Sequence, residues 1–207
     1  TEPTNTEIIS YKDDATKTFM RRYKNFILSY FAKRWNVTDV RQIFEVDSTN
    51  ELVLRHNKAR FFCGTASARV GGRGGVLQKL LYSEAAFYPD TENMTAREII
   101  EGTMQQVDVD AGWIFVESTA NGYGNHYANM WEAASNGKSR FKARFYSWKE
   151  FYTPEQFELI KSGFTDKRLI KQEYPETMEE AFLSSGEKFF DAESFKDFIV
   201  KEGERIG

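Results

Sequence analysis

An α/β fold built on a parallel sheet, with a small helical subdomain after it, is what this sequence of 207 residues predicts, and three observations predict it. Two short, mostly apolar runs, KLLYSE at 79–84 and GWIFVES at 112–118, flank a run of helical periodicity at 95–107. Strand, helix, strand in that order is the pattern of a parallel crossover. Both apolar runs end in polar and acidic residues, and in open parallel sheets ligands bind beyond the carboxyl ends of the strands. After Trp148 the apolar runs stop and short segments with helix caps take over.

Along the chain, residues 14–35 place Phe19, Tyr23, Phe26, Ile27, Tyr30 and Phe31 at steps of three and four, with basic residues between them. This predicts an amphipathic helix, whose aromatic face either packs on the sheet or meets DNA; aromatics at helical spacing favour packing. ELVLRH at 51–56 and ARFFCGTA at 59–66 read as strands joined by the polar pair Asn57 and Lys58. The cluster GGRGG at 71–75 breaks both helix and strand and reads as a loop. A helix near 124–136 follows the strand at 112–118, and the alternation of Phe141, Ala143 and Phe145 predicts one more strand. Helices are expected from the Thr153-Pro154-Glu155 cap onward, near 166–173, near 176–183 and near 192–201. The division is residues 1–150 as a sheet-based core and 151–207 as a helical subdomain.

Composition excludes several classes. With 41% apolar, 15% aromatic and 29% charged residues, the chain is neither disordered nor fibrous. No apolar run approaches the ~18 residues needed to cross a bilayer, and the amino terminus has no signal-peptide pattern. The single Cys63 rules out a disulfide framework and, with only His56 and His126 beside it, a zinc site; a reducing cytoplasm is the default. The net charge of −3 is unevenly spread: residues 1–75 carry 13 Lys and Arg against 8 Asp and Glu, the remainder 15 against 23. The amino-terminal part can face phosphate, although an ordinary solvated surface explains the balance as well.

The chemistry is expected at the strand ends. The first strand delivers Ser83 and Glu84, the second Glu117, Ser118, Thr119, Ala120, Asn121 and Gly122. Apolar residues closing on an acid form the Walker B arrangement, in which the carboxylate polarises a water for attack on a terminal phosphate and a neighbour helps hold magnesium. A strand ending in Glu is common in α/β proteins, so the motif alone is weak. Its company is more specific. Gly64-Thr65-Ala66-Ser67, then GGRGG, LLYSEAAFYPD, FVESTANGYGNHYANMWEAASNG, FYSW and QEYPETMEEAFLSSGEKFFD resemble, in order and wording, the large subunit of tailed-phage terminase over about residues 59–191.

That resemblance implies a partial RecA-like P-loop NTPase core and a helical lid or linker, part of a motor that couples ATP hydrolysis to translocation of double-stranded viral DNA into a procapsid. It makes Glu84 the Walker B glutamate and places Ser83 where many ATPases have Asp, the two together serving Mg2+. Ser118, Thr119 and Asn121 resemble the coupling motif that senses the terminal phosphate of ATP, although a capped, glycine-terminated turn would use the same residues. Arg73 resembles the arginine that a neighbouring subunit supplies to the transition state; a surface Arg in a loop is the equal alternative. Implied partners are viral DNA, the terminase small subunit, the portal protein and further copies in a ring, in the host cell cytoplasm. The phosphate-cradling string GxxxxGK[ST] does not occur, so the chain is expected to be a fragment lacking that loop and the nuclease domain, inactive by itself. The other reading is a non-catalytic, degenerate module that binds DNA or a packaging partner. Phe182, Phe189 and Phe190 are read as core.

Overall fold

The computed structural model describes residues 3–66 and 75–184. Strand β1 (Thr6–Ser10) pairs in parallel with neighbours on both sides. Helix α1 (Asp13–Trp35) sets Asp13 and Asp14 at its positive end and Lys33 and Arg34 at its negative end, and stops at Asn36 in the left-handed conformation. It buries Met20 and Ile27 against Ile8, Phe61 and Cys63, and Tyr23 stacks on Phe61 at 3.6 Å between ring centres. The expected packing holds for Phe19, Tyr23, Ile27 and Phe31 but not for Phe26 and Tyr30, which are 67% and 48% exposed.

A short helix α2 (Val40–Ile43) leads into β2 (Phe44–Asp47), β3 (Glu51–Leu54) and β4 (Arg60–Thr65), an antiparallel run. Between β3 and β4 the chain turns at Asn57 and Lys58, with Lys58 at φ 59° and the Leu54 N–H donating to the Ala59 carbonyl at 2.9 Å. Next come β5 (Lys79–Ser83), α3 (Ala96–Met104), β6 (Trp113–Glu117) and α4 (His126–Ser135). Thr95 and Glu98 close a reciprocal capping box at the start of α3.

Across the sheet the strands run β2-β3-β4-β1-β5-β6, with β4, β1, β5 and β6 mutually parallel. This is a mixed, mostly parallel α/β sheet, as expected, with its centre at β1. Helices cover both faces. On one, α1 packs over Ile8, Phe61 and Cys63; on the other, Ile99 and Ile100 of α3 and Tyr127 and Ala128 of α4 pack over Ile9, Leu80 and Tyr82. Tyr82 is fully buried, and its hydroxyl donates to the Ile100 carbonyl at 2.8 Å.

Beyond the sheet, α5 (Pro154–Ser162), α6 (Lys167–Glu173) and α7 (Met178–Ser184) appear where helices were expected. Thr153 caps α5 as expected, with Pro154 in the first turn, and Gln156 closes a reciprocal capping box with it. Phe182 is buried, touching Tyr123 and Trp131, so α7 is joined to the sheet's helical layer. Phe189, Phe190 and the helix expected at 192–201 lie outside the described residues.

One expected strand is absent. Phe141, Ala143 and Phe145 alternate, yet residues 142–147 carry no ladder, because no described strand runs beside them and a strand exists only by pairing. Among the described residues no helix is long and apolar enough to cross a membrane.

The core assignment is testable by urea unfolding. Ile9→Ala, at the sheet centre, is expected to lower the unfolding free energy by about 2–5 kcal/mol, whereas Phe26→Ala on the outer face of α1 should change it by no more than about 0.5 kcal/mol.

Candidate active site

Parallel registry sets the carboxyl ends of four strands in one row. Ser10 of β1 is level with Thr65 of β4 on one side and Ser83 of β5 on the other, and Ser83 is level with Glu117 of β6. Residues level in a parallel ladder share a face, so these four polar side chains stand on the face that α1 covers. Three hydroxyls knit the row to α1: Thr16 lies 2.7 Å from the Ser10 hydroxyl and 2.9 Å from the Thr65 hydroxyl, and donates to the Gly64 carbonyl at 3.3 Å. This cluster was missed in the sequence because β1 was missed. The available signal was Ile8-Ile9 ending in Ser10 immediately before a helix.

Glu84, one residue beyond β5, has φ 56° and ψ 44°. A side-chain-bearing residue in the left-handed region costs on the order of 1–3 kcal/mol, and such residues gather where function requires the geometry. The turn reverses the chain into a single turn of 3-10 helix, Ala85–Phe87, and the neighbouring strand end holds it there. The Ser118 hydroxyl accepts from the Ala86 N–H at 3.1 Å and lies 3.4 Å from the Glu84 Oε2, while the Asn121 amide donates to the Ala86 carbonyl at 3.2 Å. Asn121 is in turn held by Asn125, whose amide donates to the Asn121 carbonyl at 2.9 Å and whose carbonyl oxygen caps α4.

The expected residues therefore do meet. Ser83, Glu84, Ser118 and Asn121 come together where β5 and β6 end, and Thr119 contributes its backbone N–H to the Glu84 carboxylate. Arg73 lies outside the described residues. Gln172 of α6 was not anticipated: its amide donates to the Ala120 carbonyl at 3.0 Å, linking the helical part to the turn beside Glu84.

Glu84 holds its proton more tightly than an ordinary carboxylate. Burial is the main cause, and the negative charges of Glu117 and Glu173 add to it; the Thr119 N–H and the Ser118 hydroxyl pull the other way. Among the described residues no Lys or Arg forms an ion pair with any of these three acids. Carboxylates and hydroxyls are hard-oxygen donors of the kind that bind a divalent cation such as magnesium largely through water and a bound anion, although among the described residues no three Asp, Glu, His or Cys side chains stand close enough to hold a metal ion between them. They do not by themselves fit a phosphate chain, which needs amides or a cation aimed at its oxygens.

No family model matches the chain, and no curated protein matches it. Solved structures do. The large terminase ATPase domain of Thermus phage P74-26 superposes with a TM-score of 0.53 at 17% identity, over 84% of this chain and 76% of that one. The large terminase of a thermophilic bacteriophage, in complex with ADP, gives 0.54 at 11% identity, over 86% and 41%. The HK97 bacteriophage large terminase gives 0.54 at 9% identity, over 88% and 36%. The chain thus spans less than half the length of the last two of these proteins.

Because a buried acid in its charged form opposes folding, the pH dependence has a definite sign. The folded state keeps the Glu84 proton at pH values where the unfolded chain has lost it, so stability falls as pH rises from the ordinary carboxylate range through the folded pKa. Glu84→Gln should therefore melt higher than the parent at pH 7, by about 2 °C or more. The gap should close at about pH 4, which thermal unfolding at the two pH values measures.

Strand order, the row of polar strand ends and these likenesses agree: the chain is built on the RecA-like α/β fold of phage large-terminase ATPase domains.

Proposed function

We propose that this chain is the central and lid portion of a viral DNA-packaging ATPase, in which Glu84 activates water for attack on the terminal phosphate of ATP. The observation that carries the reading is Glu84 itself. It is a partly buried carboxylate with raised proton affinity, held in a left-handed turn at the end of an inner parallel strand, on the fold of the terminase ATPase domains.

In this reading Glu84 takes the proton of the attacking water. Raised proton affinity brings a carboxylate closer to the working range of a general base. Ser118 and the Thr119 N–H fix the direction of the carboxylate, and Asn121 keeps the turn of Ala85–Phe87 from relaxing. Ser83 and Glu84 would hold magnesium, which supplies charge neutralisation at the phosphates when bound. Arg73, from a neighbouring copy, neutralises charge developing in the transition state. Loss of the terminal phosphate is felt by the turn at 118–122 and passed through Ala120 and Gln172 to α6.

Residues 1–150 would form the ATPase core, and 151–207 the lid. The partners are double-stranded viral DNA, the terminase small subunit, the portal protein and further copies of the chain in a ring, in the host cell cytoplasm. The second reading, a non-catalytic module that binds DNA or a packaging partner, is favoured by one observation: the chain contains no GxxxxGK[ST] string.

Hydrolysis assays separate the two. A polypeptide extended to the start of its reading frame should hydrolyse ATP, Glu84→Gln should lower the rate by about 10²- to 10⁴-fold, and the 207-residue chain alone should show negligible turnover. Absence of nucleotide binding in all three supports the non-catalytic module.

A further inference from the structure

We propose that the outward face of α1 is a binding site for single-stranded nucleic acid, with bases stacking on Phe26 and Tyr30 and phosphates meeting the cationic pairs at the two ends of that face. The proposal rests on one helix, goes beyond a duplex DNA partner, and does not require that Glu84 hydrolyse anything.

Packing on the sheet accounts for the inner side of α1 only. On the outer side the exposed positions fall in neighbouring pairs four residues apart, and steps of four keep to one side of an α-helix. The first pair, Arg21 and Arg22, and the last, Lys33 and Arg34, are cationic. Each pair between them sets a ring beside a small polar group: Phe26 beside Asn25, and Tyr30 beside Ser29. The Tyr30 ring is braced. Trp35, itself 52% exposed, meets it edge-on with ring centres 5.3 Å apart, and Phe31 supports Trp35 at 4.9 Å. This end of the aromatic platform is therefore ordered before anything binds to it.

The charge of this face is not answered within the chain. Between residues 15 and 38 there are six Lys and Arg and no Asp or Glu. Lys17 pairs with Asp13 and Lys24 with Asp47, whereas Arg21, Arg22, Lys33 and Arg34 form no ion pair among the described residues. At about 1.5 Å per residue the two cationic ends stand roughly 18 Å apart. At roughly 3.4 Å per stacked nucleotide that span is about five nucleotides. Four cations without carboxylates, set at both ends of an acid-free helix, are the complement of a polyanion that runs along its axis.

The side chains between the cations decide which polyanion. Unpaired bases present flat faces that stack on aromatic rings while basic residues track the backbone, and the Asn25 amide and Ser29 hydroxyl stand beside the rings to bond base edges. A closed duplex turns sugars and phosphates outward; it would satisfy the arginines and lysines but press Phe26 and Tyr30 against charge. The same face of a second copy would set cations against cations. A partner helix needs a continuous apolar stripe, and of the eight outward positions only Phe26 and Tyr30 are apolar.

Fluorescence anisotropy of a labelled oligothymidylate strand, titrated with the 207-residue chain at low salt, tests this. The strand should bind. Phe26→Ala and Tyr30→Ala should each weaken binding by about 10-fold, with unchanged thermal melting, and Tyr30→Phe should keep the parent affinity. Arg22→Gln and Lys33→Gln should each lower the slope of log affinity against log salt by about 0.7, a slope that the two ring substitutions leave alone. The same strand annealed to its complement should bind more weakly and be indifferent to the ring substitutions. No binding of the strand, or binding that Phe26→Ala and Tyr30→Ala leave unchanged, overturns the proposal. So does displacement of the strand by polyglutamate at equal charge concentration, which would make the occupant an acidic protein segment.

Discussion

Everything in this molecule depends on the two-sided parallel pairing of β1. Five residues, Thr6–Ser10, hold β4 on one side and β5 on the other in the same register, so that strands far apart in sequence finish on one line. Parallel pairing gives no hairpin and no local reward; it closes only after long connections have been ordered. What it achieves is alignment. Ser10, Thr65, Ser83 and Glu117 become neighbours because their strands end together, and the Thr16 hydroxyl pins the start of α1 to that line.

The two faces then divide the work. Over β1 and β4 the α1 face is dry, with Ile8, Phe61 and Cys63 beneath Met20 and Ile27, and burial pushes the Cys63 thiol up to about 12, leaving it protonated and inert as a nucleophile. The opposite face is sealed by α3 and α4 and continues through Trp131 and Phe182 into the helical part. Polar groups collect at the carboxyl edge. There burial and the like charges of Glu117 and Glu173 work together on Glu84, while Ser118 and Asn121 spend their hydrogen bonds on holding the turn that carries it.

Much of this was legible in the residues, and the failures have physical causes. Helical periodicity and caps are local chemistry, so α3 was legible in its pattern over 95–107 and α5 in its Thr153-Pro154-Glu155 cap. The apolar runs of β5 and β6 announced parallel strands, and the polar residues after them marked the candidate site. β1 was not legible, because its five residues offer one apolar pair and its stability is entirely non-local; with it went the Ser10–Thr16–Thr65 cluster. The run at 141–146 erred in the opposite direction, having a strand's alternation without a partner. Gln172 could not be foreseen, since no pattern marks a side chain that reaches a carbonyl 52 positions away.

The left-handed backbone at Glu84 reaches beyond the local turn. Glycine would occupy that conformation without strain, and asparagine or aspartate with little, whereas glutamate has no short side chain to compensate the backbone. Sequence drift guided by stability alone runs downhill from glutamate toward glycine at this position. A chain that nevertheless presents a long carboxylate there carries a local backbone strain, which the hydrogen bonds of Ser118 and Asn121 to Ala86 hold in place.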